Sequence, residues 1–125
     1  MEDELIKFET AKLAKEKGFD IPCKESYWVN PDGEFWLRPY SYDRDRYLGR
    51  PWKLAPTQSL LQKWLREEHK IEIKTVEEGR GYKSWYKKKD GKRWVHALGG
   101  YTHKPTYEEA LEKGLQEALK LINNI

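Results

Sequence analysis

Thr106-Tyr107-Glu108-Glu109-Ala110-Leu111-Glu112-Lys113-Gly114-Leu115-Gln116-Glu117-Ala118-Leu119-Lys120-Leu121-Ile122 reads as a helix from either end. Thr106, with Glu109 three residues on, forms a capping box in which hydroxyl and carboxylate each serve a free backbone N–H. Ala110, Leu111, Gly114, Leu115, Ala118, Leu119 and Ile122 then make one continuous apolar face. Glu112 falls outside that set and is expected on the solvated side, where truncation would be nearly silent. Gly114 sits on the apolar face at a cost of about 1 kcal/mol in helix propensity. A helix backbone that must approach a sheet closely would account for it.

Moving toward the N-terminus, Asp90-Gly91 is the pair that a two-residue type I′ turn requires. That turn sets Lys89 opposite Lys92, Lys87 opposite Trp94 and Trp85 opposite His96. One face of the hairpin then carries Trp85, Lys87, Trp94, His96 and Leu98. The other carries Ser84, Tyr86, Lys88, Arg93, Val95 and Ala97. Before it, Ile71 and Ile73 alternate with Glu72 and Lys74 as a strand. A helix from Pro56 or Thr57 to about His69 places Leu60, Leu61, Trp64 and Leu65 on one stripe.

Further upstream, Tyr27-Trp28-Val29 and Glu34-Phe35-Trp36-Leu37 flank Asn30-Pro31-Asp32-Gly33, a turn sequence. Residues 38–54 read as a long loop rich in Tyr, Arg and Asp, and loops of that length are commonly functional. A first helix is expected from about Asp3 to Lys17, stopped by Gly18. The order is α-β-β-α-β-β-β-α. It predicts a single α+β domain over 1–125, an antiparallel sheet of two aromatic hairpins plus one strand, backed by three helices.

Composition narrows the function. Charged residues make up 36% of the 125 residues and hydrophobic ones 38%, which alone would suit a disordered chain. Six Trp and eight Tyr argue otherwise, because each can bury roughly 150–250 Å². Cys23 is the sole cysteine, so no internal disulfide can form and a reducing, cytoplasmic setting is expected. The opening MEDELIKFETAKLAKEKGF is acidic at its start and interrupted by charge, unlike a signal peptide. No segment offers the ~20 apolar residues of a membrane span, so no membrane partner is expected.

Net charge is +3, but it is segregated. Between Arg80 and Lys104 eight cations face a single acid, Asp90, while the flanking stretches are acidic. His69, His96 and His103 lie too far apart in sequence for a metal motif, and no cofactor is expected. There is no G-x-S-x-G elbow or phosphate-cradling glycine loop. Glu67-Glu68 and Glu108-Glu109 read as a helix face and a cap, not as an acid–base pair. The sequence therefore points to binding without catalysis.

Cations and rings alternate from Gly81 to His96, and cations suit phosphates while flat rings stack on bases. Arg44, Arg46, Arg50 and Trp52 of the loop, with Trp85, Lys87, Arg93, Trp94 and His96 of the hairpin, are the expected ligand-binding residues. The ligand expected is small, anionic and of nucleotide type, held by a homo-oligomer. A nucleic acid on an open basic stripe and a protein partner on a flat apolar one stand as alternatives. The same rings could instead be core, with tip lysines merely blunting a sheet edge.

Ala55-Pro56-Thr57-Gln58-Ser59-Leu60-Leu61-Gln62-Lys63-Trp64-Leu65-Arg66-Glu67, Thr106-Tyr107-Glu108-Glu109-Ala110-Leu111 and Phe8-Glu9-Thr10-Ala11-Lys12-Leu13-Ala14 resemble small accessory proteins of bacteriophages and prophages of gut bacteria. That resemblance implies a viral accessory role, such as blunting host defence by sequestering a nucleotide immune signal. The order of helix 57–69, three strands and helix 106–124 is also similar to double-stranded-RNA-binding domains. That family carries a lysine cluster where this chain has the acidic Thr106-Tyr107-Glu108-Glu109.

Overall fold

The computed structural model describes residues 4–21, 23–29, 32–39, 52–88, 91, 93–96 and 103–122, and of Arg38, Pro39, Trp52 and His96 the backbone alone. Helices α1 (Phe8–Glu16), α2 (Gln58–Glu68) and α3 (Tyr107–Lys120) accompany strands β1 (Glu25–Val29), β2 (Phe35–Pro39), β3 (Trp52–Leu54), β4 (Ile71–Glu78), β5 (Gly81–Lys88) and β6 (Val95–His96). The class is α+β with antiparallel strands and three helices. The strands divide into two sheets: sheet 1 in the order β2-β1-β3 and sheet 2 in the order β4-β5-β6. The helices lie between them. The last two pack on sheet 2, while α1 packs on α3 and on β3 of sheet 1. Each hairpin thus finds its own third strand, and β3 comes from the stretch expected to be loop.

Where it is described, the second hairpin keeps the expected register, with Trp85 opposite His96 and Tyr86 opposite Val95. It joins β4 through a two-residue turn in which Gly79 takes a left-handed φ of 65°, so that Glu78 meets Gly81. The first helix begins at Phe8, not Asp3. Residues 4–6 run extended beside 55–58, where Ile6 N–H donates to Pro56 O at 3.0 Å and Gln58 N–H to Glu4 O at 2.7 Å. Those pairings use the apolar Leu5 and Ile6 as an edge, which is why their spacing fits a helix poorly. The α2 cap is as local sequence requires, Thr57 Oγ1 accepting Leu60 N–H at 3.2 Å.

Helix α3 organises the core, and three stripes on it meet three neighbours. Ala110, Gly114 and Ala118 form a stripe of small residues whose centre rests on sheet 2. A Cβ at Gly114 would lie 2.9 Å from Ser84 Cβ and 3.1 Å from Ile73 Cγ2. Leu111, Leu115 and Leu119 form the second stripe and join Leu61, Leu65, Ile71 and Ala14 in one buried cluster. The third stripe, Glu112 and Gln116, faces α1.

Glu112 is only 4% exposed, which overturns the solvated placement expected for it. Its carboxylate accepts Lys7 N–H at 2.8 Å, the Thr10 hydroxyl, and Gln58 Nε2–H at 3.0 Å. Gln116 Nε2–H donates to Thr10 Oγ1 at 3.0 Å. The physical reason lies in α1, whose N-cap is Lys7, a residue with no side-chain acceptor for the free N–H groups. A carboxylate from another helix takes that place, where the positive end of the α1 dipole favours negative charge.

Gly114→Ala is expected to destabilise the protein by about 1–3 kcal/mol through overpacking, although alanine is the better helix former. Ser84 cannot yield, because its Oγ is 2.6 Å from Thr75 Oγ1 and donates to Ala110 O at 2.6 Å. Urea unfolding checks this, and a stabilised Gly114→Ala would mean the contact is slack.

Candidate functional site

Side chains alternate across a strand, so the pairing of β4, β5 and β6 fixes what shares the face of sheet 2 turned away from the helices. Ser84 and Ile73 point at α3, which leaves Lys74, Lys83, Trp85, Lys87 and Trp94 on the outer face with Glu72 and Glu78. Cross-strand pairing sets Glu72 beside Lys87 and Lys74 beside Trp85.

The ring of Trp94 is the centre of this group. Lys74 Nζ lies 4.4 Å from its centroid and Lys87 Nζ 4.7 Å. An ammonium over an indole gains about 0.5–1 kcal/mol at an exposed site. The two cations, though, carry like charge and share one ring. Lys87 also has Glu72 at 4.0 Å, and Lys83 has Glu78 at 3.1 Å. Glutamates of β4 therefore break the run of positive charge that sequence alone suggests, and they do so through register. The cluster that remains is compact: two ammonium groups about one indole, with Trp85 on the neighbouring strand.

The expected site residues distribute as follows. Trp85, Lys87 and Trp94 come together on this face, and the backbone of His96 pairs with Trp85. Arg93 is exposed and one residue out of phase with Trp94. Trp52 opens β3 of the other sheet, paired with Trp28. Arg44, Arg46 and Arg50 lie outside the described residues. Sequence reasoning missed Lys74 and Lys83. The first was legible in the alternation of Ile71 and Ile73 with Glu72 and Lys74, which already put Lys74 on the outer face.

Two other concavities compete for attention. One, of about 480 Å³, is lined by Leu5, Cys23, Ala55, Pro56, Thr57 and Leu60. Burial pushes the Cys23 thiol up to about 11, and it donates to Ile21 O at 3.2 Å. At neutral pH it stays protonated and is a poor nucleophile. The other, of about 370 Å³, lies between Lys17, Asp20, Trp64, Glu68 and His69, where the His69 ring meets Trp64 edge-on at 4.5 Å. Among the described residues no three His, Cys, Asp or Glu side chains gather to hold a metal ion, and no helix is long and apolar enough to cross a membrane. No protein family, curated protein or solved structure matches this chain.

Proposed function

We propose that the protein binds a small anionic, nucleotide-type ligand on the outer face of sheet 2 and leaves it unchanged. The observation that supports this is the pair of ammonium groups held at the Trp94 ring. A flat base needs a ring to stack on, and its phosphate needs cations within one ligand's length of that ring. Here both lie within one cluster. The mutual repulsion of Lys74 and Lys87 is relieved when an anion comes between them. Their present partner, the indole face, is a weak one that a base can displace. As a role for such binding we propose a cytoplasmic sponge that withdraws a nucleotide signal of host defence, the role that a phage accessory protein would have.

A small ligand fits this face better than a nucleic-acid strand does. A strand needs a continuous track of cations, whereas Glu72 and Glu78 interrupt this one. The first turn of α3 is also acidic, with Glu108 and Glu109 where a duplex-binding domain would need lysines.

Calorimetry against mono-, di- and cyclic nucleotides is expected to show saturable binding, with the ligand recovered intact after denaturation. Trp94→Ala should weaken it by ~1–3 kcal/mol, the worth of one base–ring stack, and Lys74→Ala should weaken it while leaving the fold intact. Affinity that ignores Trp94 would rule this face out. A recovered product would make the protein an enzyme. Binding of long single strands or duplexes with a steep salt dependence would transfer the reading to nucleic acid.

A further inference from the structure

Trp94 precedes β6 and Lys74 stands on β4, with β5 between the two strands. Two strand spacings are about 10 Å, yet Lys74 Nζ lies 4.4 Å from the centroid of the indole. Ring and lysine therefore reach toward each other across β5, which brings the ring near whatever else β4 carries on this face. Glu72 is two residues from Lys74 and shares its face. Its Oε2 is 4.0 Å from Lys87 Nζ, and that ammonium is 4.7 Å from the Trp94 centroid, so a single ammonium separates carboxylate from ring. The two glutamates of this face differ in what they have left to offer. Glu78 accepts a hydrogen bond from Lys83 at 3.1 Å. Glu72 has only its 4.0 Å contact, too long for a hydrogen bond, and among the described residues it accepts none.

We infer, resting on the ligand site proposed for this face, that Glu72 reads the edge of the base and selects guanine. Charge alone gives no reason for a carboxylate here, because it repels the phosphate that the lysines attract. A hydrogen-bonded base edge offsets that repulsion. An ionised carboxylate only accepts hydrogen bonds, so what it recognises beside the ring is a pair of donors. Guanine alone among the common bases sets two neighbouring N–H donors, N1–H and the 2-amino group, along one edge. That is the fork which two carboxylate oxygens accept together. Adenine and cytosine each place a ring-nitrogen lone pair beside the amino group, and uracil flanks its one N–H with two carbonyls. Each of these turns a lone pair against the negative charge. Phosphate binding also draws Lys87 away from Glu72, which leaves both carboxylate oxygens to the base.

Calorimetry with guanosine and adenosine 5′-monophosphates tests it, with circular dichroism as a check that each variant folds. The unaltered protein is expected to bind the guanosine form on the order of tenfold more tightly, the worth of one bidentate contact to a base. Inosine 5′-monophosphate, which lacks the 2-amino group, should fall between the two. Glu72→Ala should bind guanosine and adenosine monophosphates alike. Glu72→Gln offers one donor and one acceptor, as an amide does toward adenine, and should reverse the preference. Equal affinities in the unaltered protein overturn the selection of guanine while leaving the ligand site standing. A guanine preference that survives Glu72→Ala takes the role away from Glu72. Binding of none of the three nucleotides removes the site itself, and this inference with it.

Discussion

Glu112→Ala is expected to lower the unfolding free energy by about 3–5 kcal/mol, the order expected when two or more buried donors lose a charged acceptor at about 1–3 kcal/mol each. Three donors converge on that carboxylate: Lys7 N–H, the Thr10 hydroxyl and Gln58 Nε2–H. Thr10, Gln58 and Glu112 are all buried, so water cannot replace the missing acceptor. A buried donor left unsatisfied costs about 1–3 kcal/mol, and the deletion leaves several. Glu112→Gln keeps the shape and one acceptor oxygen, and should cost about half as much. Glu117→Ala is the control, because its partners Lys113 and Lys120 sit at the surface, where ion pairs are worth ~0–1 kcal/mol. Urea unfolding ranks the three variants. There is also a local readout in Tyr27, whose hydroxyl donates to Ile6 O at 2.7 Å. Its phenol is held above the ordinary value by burial first and by the charge of Glu112 second. Removing that charge should move the phenol's ultraviolet titration to lower pH. If Glu112→Ala is as mild as Glu117→Ala and the Tyr27 titration stays put, the network is not what anchors α1.

The contrast between Gly114 and Glu112 shows what sequence could and could not reveal. Gly114 breaks a local rule on an otherwise regular apolar face, and a broken local rule asks for a tertiary cause. The close approach to Ser84 supplies it. Glu112 breaks no local rule, since a carboxylate in the second turn of a helix looks at home in water. The clue to its burial lay about a hundred residues away, at the start of α1, where Lys7 offers nothing to cap a helix that needs capping. In the same way Asp90-Gly91 fixed which residues of β5 and β6 meet, because turn chemistry is local. That β4 glutamates would sit beside Lys83 and Lys87 depended on the Gly79-Arg80 turn, whose register decides which charges lie together. The division into two sheets was hidden for a related reason. Strand patterns record which face is apolar and not which strand is the neighbour, so Trp52–Leu54 could not declare its pairing with β1. The cation–ring cluster was half legible: its rings and Lys87 came from the hairpin, and Lys74 came from a strand that had been read only for its isoleucines.

Leu115→Ala should fall in the upper half of the 2–5 kcal/mol range for deleting a buried leucine side chain, at about 4 kcal/mol. The spread in that range reflects how far a core can collapse into the space left behind. Leu115 is fully buried, and it lies on the stripe between the small residues that touch sheet 2 and the polar ones that touch α1. Helix α3 is pinned on both sides of that stripe. Gly114 rests against a hydrogen-bonded Ser84, and Glu112 holds the first turn of α1. The backbone is therefore unable to shift inward, and the void persists. Leu115→Met, which nearly conserves volume, should cost less than about 1.5 kcal/mol. Leu121→Ala, at a half-buried position past the end of α3, should also cost much less. The pinning itself can be measured with a double-mutant cycle. Once Glu112→Ala frees α1, the helices can close around the missing side chain, so Leu115→Ala should cost about 1 kcal/mol less in that background than alone. Strict additivity in the cycle would mean that α3 is held by the sheet alone, and that the carboxylate serves α1 without constraining the core.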